Sequence, residues 1–343
     1  MRIRDFGYNI GTMRPGPLNR ISDVPGVTVG HATIATGTHN TGVTVVLPCQ
    51  DNPFVRKLPC ASFVLNGFGK TAGLIQIDEL GTLETPIALT NTLNVGLVHD
   101  ALVEYMVRRC EDENIPLRSV NPVVCECNDA SLSDIRHRAV NQAHVFSAIE
   151  SACAEFDEGA VGCGRGTTCH GLKGGVGSAS RLMPFDGRDY ALGVLVQTNH
   201  GRISDFMIEG DFIGERIQRE LDENKPDRGS CIVILATDLP LSDRQLRRVI
   251  KRCSVGLARL GSFIGHGSGE VFIGFSTANR TAPGDARAVF PCEAFNEDRI
   301  DTVFRAAAEA TEEAVLNSMA AAEDVTGPSG TTRLSLSRFL DRP

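Results

Sequence analysis

The chain has 343 residues, with 42% hydrophobic and 22% charged side chains, a globular balance that excludes disorder as its main state. Its 34 Lys and Arg against 42 Asp and Glu give a net charge of −8, and it has no Trp and only 3 Tyr, so the basic surface and stacking platforms of a nucleic-acid or anionic-membrane binder are missing. No run approaches the roughly 20 apolar residues of a membrane helix, and the N-terminal MRIRDFGYNIGTMRPGPLNR carries charge without the apolar core of a secretory signal.

Short strands are expected at 43–47 (VTVVL), 61–65 (ASFVL), 86–90, 123–125, 191–197 (ALGVLVQ), 231–236 (CIVILA) and 271–276 (VFIGFS), from their buried or alternating apolar runs. Helices are expected at 95–110, 142–156, 212–223, 243–260 and 298–322. Ser242 followed by Gln245 is a capping box for the fourth. In the last, Val303, Ala307, Ala310, Ala314 and Val315 recur at helical spacing, and their small size points to close packing on a sheet or helix. The strands do not alternate strictly with helices, which disfavours a Rossmann arrangement. The pattern favours a layered α+β sandwich with helices outside. The polar stretch 223–229 (ENKPDRG) reads as a linker or as a processing site.

Eleven cysteines, spread from Cys49 to Cys292, lack the dense spacing of a disulfide scaffold and read as free thiols in a reducing cytoplasm. Glycine, at 35 residues, is about a tenth of the chain against a usual ~7%. Neither feature makes a cofactor site. NGFGKT at 66–71 resembles the end of a P-loop, but position 64, where the first glycine belongs, is Val. GLKGGVGS at 171–178 reads as a structural glycine loop. Cys125 with Cys127, and Cys163 with Cys169 and His170, lack zinc spacing. No cofactor and no metal is expected.

Four polar positions in three segments could carry chemistry instead. Ser230, after Gly229 and opening the apolar run CIVILA, reads by itself as a turn residue. Its functional alternative is a nucleophile made N-terminal by cleavage after Gly229, through attack on the preceding carbonyl and an N-to-O acyl shift. The α-amine so released, with a pKa of about 7.7–8 in peptides, could act as the local base. In HGSGE at 266–270, Ser268 and Glu270 stand two apart and share a face of an extended chain, where they could relay a proton. Exposed turn chemistry is the other reading of that segment. Asn199 closes the run ALGVLVQTN, where it could donate to an oxyanion or make an Asx-turn.

Six ordered blocks together resemble the DmpA/BapA-type self-processing N-terminal-serine aminopeptidases, peptidase family S58. They are SDVPGVTVGHAT at 22–33, 66–96 with LETPIALTNTLNVG, NPVVCECND at 121–129, GAVGCGRGTTCHGLKGGVGSASR at 159–181, RGSCIVILATD at 228–238 and HGSGEVFIGFST at 266–277. The resemblance implies a four-layer αββα sandwich like the N-terminal nucleophile hydrolases but with different connectivity. It implies one domain cut into chains 1–229 and 230–343. Ser230 becomes the nucleophile, Ser268 and Glu270 its accessory pair, and Asn199 the oxyanion donor. Glu126, Asn128 and Gly269 fall in the substrate-binding region, with Glu126 toward the substrate's amine and Asn128 where some members carry a tyrosine. Short peptides, amino-acid amides or esters are the implied substrates, and the cleaved chains are implied to associate and to form tetramers or larger homo-oligomers. A non-peptide amide hydrolase or acyl transferase of the same superfamily, a non-catalytic binding protein and a metal hydrolase remain as alternatives. The relatives in the first of these generally present Thr where Ser230 stands.

Overall fold

The computed structural model describes residues 1–221, 229–282 and 287–340. The 223–228 part of the linker-like stretch lies outside the described residues, as do the last two residues of the helix expected at 212–223. In chain order the elements are β1 (Thr28–Thr36), β2 (His39–Leu47), β3 (Leu58–Gly67), α1 (Leu74–Leu80), β4 (Thr82–Leu83), β5 (Ile87–Asn91), α2 (Val95–Asp112), β6 (Val123–Cys127), α3 (Gln142–Glu150), β7 (Thr168–Cys169), β8 (Leu172–Lys173), β9 (Val176–Phe185) and β10 (Arg188–Asn199). They continue with α4 (Ile213–Leu221), β11 (Ser230–Thr237), α5 (Asp243–Ile250), α6 (Cys253–Arg259), β12 (Gly269–Ser276) and α7 (Ile300–Ala320).

Two main sheets form, a four-stranded one in the order β1-β2-β5-β6 and a six-stranded one in the order β4-β3-β12-β11-β10-β9. Alternation along β11 shows how they stack. Ile232, Ile234 and Ala236 join Ile273 and Phe275 of β12 and Ile87, Leu89 and Val123 of the other sheet in a core between the sheets. Cys231, Val233 and Leu235 turn the other way, onto Leu246 and Val249 of α5, Leu257 of α6 and Ala310 and Ala314 of α7. On the far side, Val43, Val45 and Ala88 pack on Val98 and Leu102 of α2 and on Val145 and Ala148 of α3. The result is the αββα sandwich. Both faces of β11 are buried, so its sequence is a continuous apolar run rather than an alternating one.

The small residues of α7 do bring it close to the sheet. A β-carbon on Gly177 of β9 would fall 2.0 Å from the carbonyl oxygen of Ala314, so strand and helix backbones touch there. The capping box at Ser242 forms, with Ser242 Oγ accepting from the Gln245 N–H at 3.2 Å and Gln245 Oε1 from the Ser242 N–H at 3.1 Å.

Three expectations need correction. The helix at 243–260 is two helices, α5 and α6, parted at Lys251 and Arg252. The helix at 142–156 stops at Glu150, because the Cys153 backbone exchanges hydrogen bonds of 3.0 and 3.1 Å with Val29 of β1. The glycine loop at 171–178 is the second half of the β7–β8 hairpin followed by the start of β9, a strand its glycines hide. None of the eleven cysteines forms a disulfide, and only Cys153 and Cys292 are exposed. Among the described residues no helix is long and apolar enough to cross a membrane.

Candidate active site

Three strand ends meet at one end of the six-stranded sheet. Asn199 closes β10, Ser230 opens β11 and Gly269 opens β12. Ser230 is the register partner of Asn199 in the antiparallel pair and of Gly269 in the parallel pair. The antiparallel pairing sets an incoming strand beside an outgoing one, and the parallel pairing sets two strand starts side by side. Residues 31 and 39 positions away from Ser230 in sequence are thereby its backbone neighbours.

The bond between Gly229 and Ser230 sits in a tight frame. The Gly269 N–H donates to the Gly229 carbonyl oxygen at 3.1 Å. A β-carbon on Gly229 would lie 1.7 Å from the carbonyl oxygen of Asn199, so only glycine fits. The Asn199 carboxamide is oriented from behind, its Oδ1 accepting the Thr168 N–H at 3.0 Å. With its oxygen engaged, the Nδ2 protons are left to donate elsewhere. Ser268 and Glu270 are fully buried, and the Ser268 hydroxyl donates to the Glu270 carboxylate, as their shared face allows.

A cavity of about 570 Å³ opens over Ser230 and is also lined by Glu126, Asn128, Thr92, Phe68, Lys70 and His266. Glu126 is the penultimate residue of β6 in the other sheet, just before Cys127, so the cavity draws on both sheets. Its carboxylate is almost fully buried and accepts from the Lys70 N–H at 2.9 Å and from the Thr92 hydroxyl. Asn128 donates to Thr92 Oγ1 at 3.3 Å, and its own Oδ1 accepts from the Ala130 N–H at 3.0 Å in an Asx-turn. It therefore lines the cavity as an amide, with no phenol hydroxyl at that place.

Thiols beside the serine are not competitors. Cys127 Sγ approaches the Ser230 carbonyl oxygen at 3.5 Å, and Cys231 follows Ser230 directly. Burial pushes both well above the ordinary thiol range, so neither supplies a thiolate. The Thr92 hydroxyl is committed to Glu126. That leaves Ser230 as the hydroxyl lining the cavity that is not committed to Glu126. Among the described residues, Cys169, His170 and His200 form a buried group whose ligand atoms lie within 4.8 Å of one another, the kind of donor set a soft metal ion takes. The sequence had grouped Cys163 with Cys169 and His170. His200 stands in that place, and none of the three lines the cavity.

The structure thus gathers Asn199, Gly229, Ser230 and Gly269 at one sheet end and sets Glu126 and Asn128 in the cavity with Ser230. Ser268 and Glu270 stand behind, at the start of β12. Sequence reasoning missed Thr92 and Thr168, which have no motif of their own, and Lys70, which was visible only as part of a discarded P-loop fragment.

The family model for peptidase family S58 matches residues 19–333. The chain is 36% identical over 355 residues to the beta-peptidyl aminopeptidase BapA of Sphingosinicella microcystinivorans, covering 96% of this chain and 88% of that one. Its fold superposes on a Burkholderia sp. beta-aminopeptidase with a TM-score of 0.91 at 38% identity, covering 100% and 98% of the two chains. It superposes with a TM-score of 0.90 at 36% identity, over 98% and 95%, on the L-aminopeptidase D-Ala-esterase/amidase of Ochrobactrum anthropi, described as a prototype for the serine aminopeptidases and a variant of the Ntn hydrolase fold.

Proposed function

This chain belongs to peptidase family S58 and is a hydrolase of the serine aminopeptidase/amidase class, and within that class we propose that it first cuts itself between Gly229 and Ser230 and then works through the serine so exposed. The observation that carries the reading is the meeting of Ser230, Asn199 and Gly269 at one sheet end beneath a cavity that holds Glu126.

In the first reaction Ser230 Oγ attacks the Gly229 carbonyl carbon. The C–N bond breaks, the nitrogen takes the hydroxyl proton, and an ester links the two segments. Water hydrolyses that ester, leaving a carboxylate on Gly229 and a free α-amine on Ser230. The Gly269 N–H already donates to the reacting carbonyl oxygen, where negative charge develops. The pieces stay together, because β11 remains hydrogen-bonded between β10 and β12 and β12 remains paired with β3.

In the second reaction a short peptide, amino-acid amide or ester enters with its ammonium on Glu126. Ser230 Oγ attacks the first carbonyl, and its proton passes to the Ser230 α-amine. Cleavage has removed the Gly229 carbonyl as a fixed partner, so the Gly269 N–H turns to the substrate oxyanion together with Asn199 Nδ2. Losing one such donor costs on the order of 10²–10³ in rate. The leaving amine departs with the proton, and water, deprotonated by the α-amine, releases the acyl group. The Ser268–Glu270 pair supports the start of β12, which carries the Gly269 donor.

Intact-mass measurement tests the reading. The purified protein should give pieces 1–229 and 230–343, and Ser230→Ala should remain one inactive chain. Wild-type protein that stays whole while hydrolysing amino-acid p-nitroanilides would overturn it.

A further inference from the structure

Lys173 is a fully buried cation that the proposed chemistry leaves unused. It stands at the end of β8, and its Nζ donates to the carbonyl oxygens of Gly164, Thr167 and Gly174, each at 2.8 Å. An ammonium has three protons to donate, and all three are placed. No carboxylate bonds to it; the charged groups that bear on it, Arg165, Glu323 and Asp129, act only at a distance. Burial, and to a lesser extent the Arg165 charge, lowers its pKa to about 7. Three acceptors and no donor around the nitrogen favour the ammonium, because a lone pair would have to face a carbonyl oxygen.

Two of these carbonyls belong to peptide units whose opposite ends reach the end of β10. The Thr167 carbonyl shares its plane with the Thr168 N–H, which donates to Asn199 Oδ1 at 3.0 Å. The Gly174 carbonyl shares its plane with the Gly175 N–H, which donates to Thr198 Oγ1 at 3.0 Å. A cation on the oxygen end of a peptide unit makes its N–H a stronger donor. A stronger donor on Asn199 Oδ1 in turn draws electron density from the carboxamide and makes Nδ2–H a stronger donor. The same bonds fix which end of the carboxamide faces the cavity. A buried residue with a plain structural role would need no such line of acceptors ending on one side chain of the site.

We propose that Lys173 is a positioning residue for the reaction: a buried ammonium that, through the Thr167–Thr168 peptide unit, orients and polarises the Asn199 carboxamide at the oxyanion. This rests on the reading of Asn199 as oxyanion donor. The effect falls on the tetrahedral state and not on ground-state binding, so it appears in kcat and leaves KM in place.

The test compares Lys173→Met, Lys173→Gln, Asn199→Ala and the double variant K173M/N199A as cut, folded proteins. Lys173→Met should lower kcat by about 10- to 100-fold, within the loss for one oxyanion donor, with KM changed less than about 2-fold. It should also weaken inhibition by an aminoalkyl boronic acid, which forms a tetrahedral adduct on the serine, by a similar factor. Lys173→Gln supplies two protons to the same carbonyls without the charge. It should restore the fold wherever Lys173→Met fails to accumulate, and still fall short of the wild-type kcat. The double variant should be no slower than Asn199→Ala alone. If self-cleavage is slowed, the half-life of the full-length chain is compared across the same variants. Losses that multiply in the double variant, a glutamine variant at full kcat, or a loss of melting temperature with the boronate-to-substrate ratio unchanged would each overturn the relay. An Asn199→Ala enzyme at full kcat would overturn the oxyanion reading itself.

Discussion

Asn199 and Ser230 are register partners at the ends of β10 and β11, and the carbonyl oxygen of Asn199 stands where a side chain on Gly229 would begin. The bond to be cut is held against a backbone atom of the residue proposed to stabilise the later oxyanion. One strand end therefore shapes both reactions.

Gly229→Ala should block self-cleavage. The clash at 1.7 Å is with a backbone carbonyl in a paired strand, which cannot rotate away as a side chain can. Relief requires moving the end of β10 or the start of β11, at a cost of about 1–3 kcal/mol or more. Either movement takes the Gly229 carbonyl off the Gly269 N–H. Purified Gly229→Ala protein should run as one full-length chain after days at room temperature. Cutting at the wild-type rate would show that the frame around Gly229 is looser than the structure has it.

Glu126→Gln should separate substrate binding from self-cleavage. The carboxylate is oriented by the Lys70 N–H and the Thr92 hydroxyl, and none of these groups touches the Gly229–Ser230 bond. Replacing a charge-assisted contact to an ammonium by a neutral one removes about 1.5–3 kcal/mol, or about 10- to 100-fold in kcat/KM. The variant should cut itself normally and lose that factor on a free-amine p-nitroanilide. Equal kcat/KM for variant and wild type would place the amine elsewhere.

The run CIVILA marks β11, and ALGVLVQTN and HGSGEVFIGFS mark its neighbours β10 and β12, because strand ends that hold chemistry also need small or polar residues at set positions. What could not be read was who meets whom. Nothing in the chain couples Ser230 to Asn199 except a strand order settled by packing on both faces of the sheet. Thr168 meets Asn199 through a backbone N–H, which every residue has, and the acceptors of the Lys173 ammonium are backbone carbonyls, so no pattern of residue types marks either contact. Strand β9 was hidden for a related reason: Gly177 is there to admit α7, and a glycine in a strand looks like a loop.

Acid should destabilise the fold through His200, which is buried with a pKa lowered to about 3. The sign follows from proton uptake. Below pH ~6.5 the unfolded chain protonates this imidazole while the native one stays neutral, so stability falls as pH drops, by up to about 1.4 kcal/mol per unit, until the native pKa is reached. Asp129, raised to about 6 by burial, works in the opposite direction between pH 6 and its unfolded value. A comparison with His200→Gln isolates the histidine. Urea midpoints at pH 7 and pH 4.5 should fall further for wild type than for the variant. Parallel losses in the two proteins would mean that His200 is charged, or free to charge, in the folded state.

A buried ion cluster should add to the strand pairing that keeps the two chains of the cut protein together. Arg181 on β9 belongs to the segment before Gly229, and Glu309 and Glu313 on α7 belong to the segment after it. Arg181 is fully buried and pairs with Glu313 at 2.8 Å and Glu309 at 3.3 Å, while Arg4 joins Glu313 from the N-terminus at 2.6 Å. A buried pair of this kind adds little over a well-packed apolar substitute, because desolvation offsets the attraction. Removing one partner is different: Glu313 keeps Arg4, but Arg181→Met takes the buried cation from the Glu309 carboxylate, which keeps the Thr12 and Met13 N–H groups, and should cost about 3–5 kcal/mol. Before cleavage the covalent link hides part of this loss. After it, the variant's chains should separate at lower urea than wild type and in a concentration-dependent way, as read by sedimentation. Adding Glu309→Gln to Arg181→Met should recover part of the midpoint, since the orphaned charge is then gone while the Arg4–Glu313 pair stays. If Arg181→Met shifts neither midpoint nor association, the chains are held by the strand pairing and the α7 core alone.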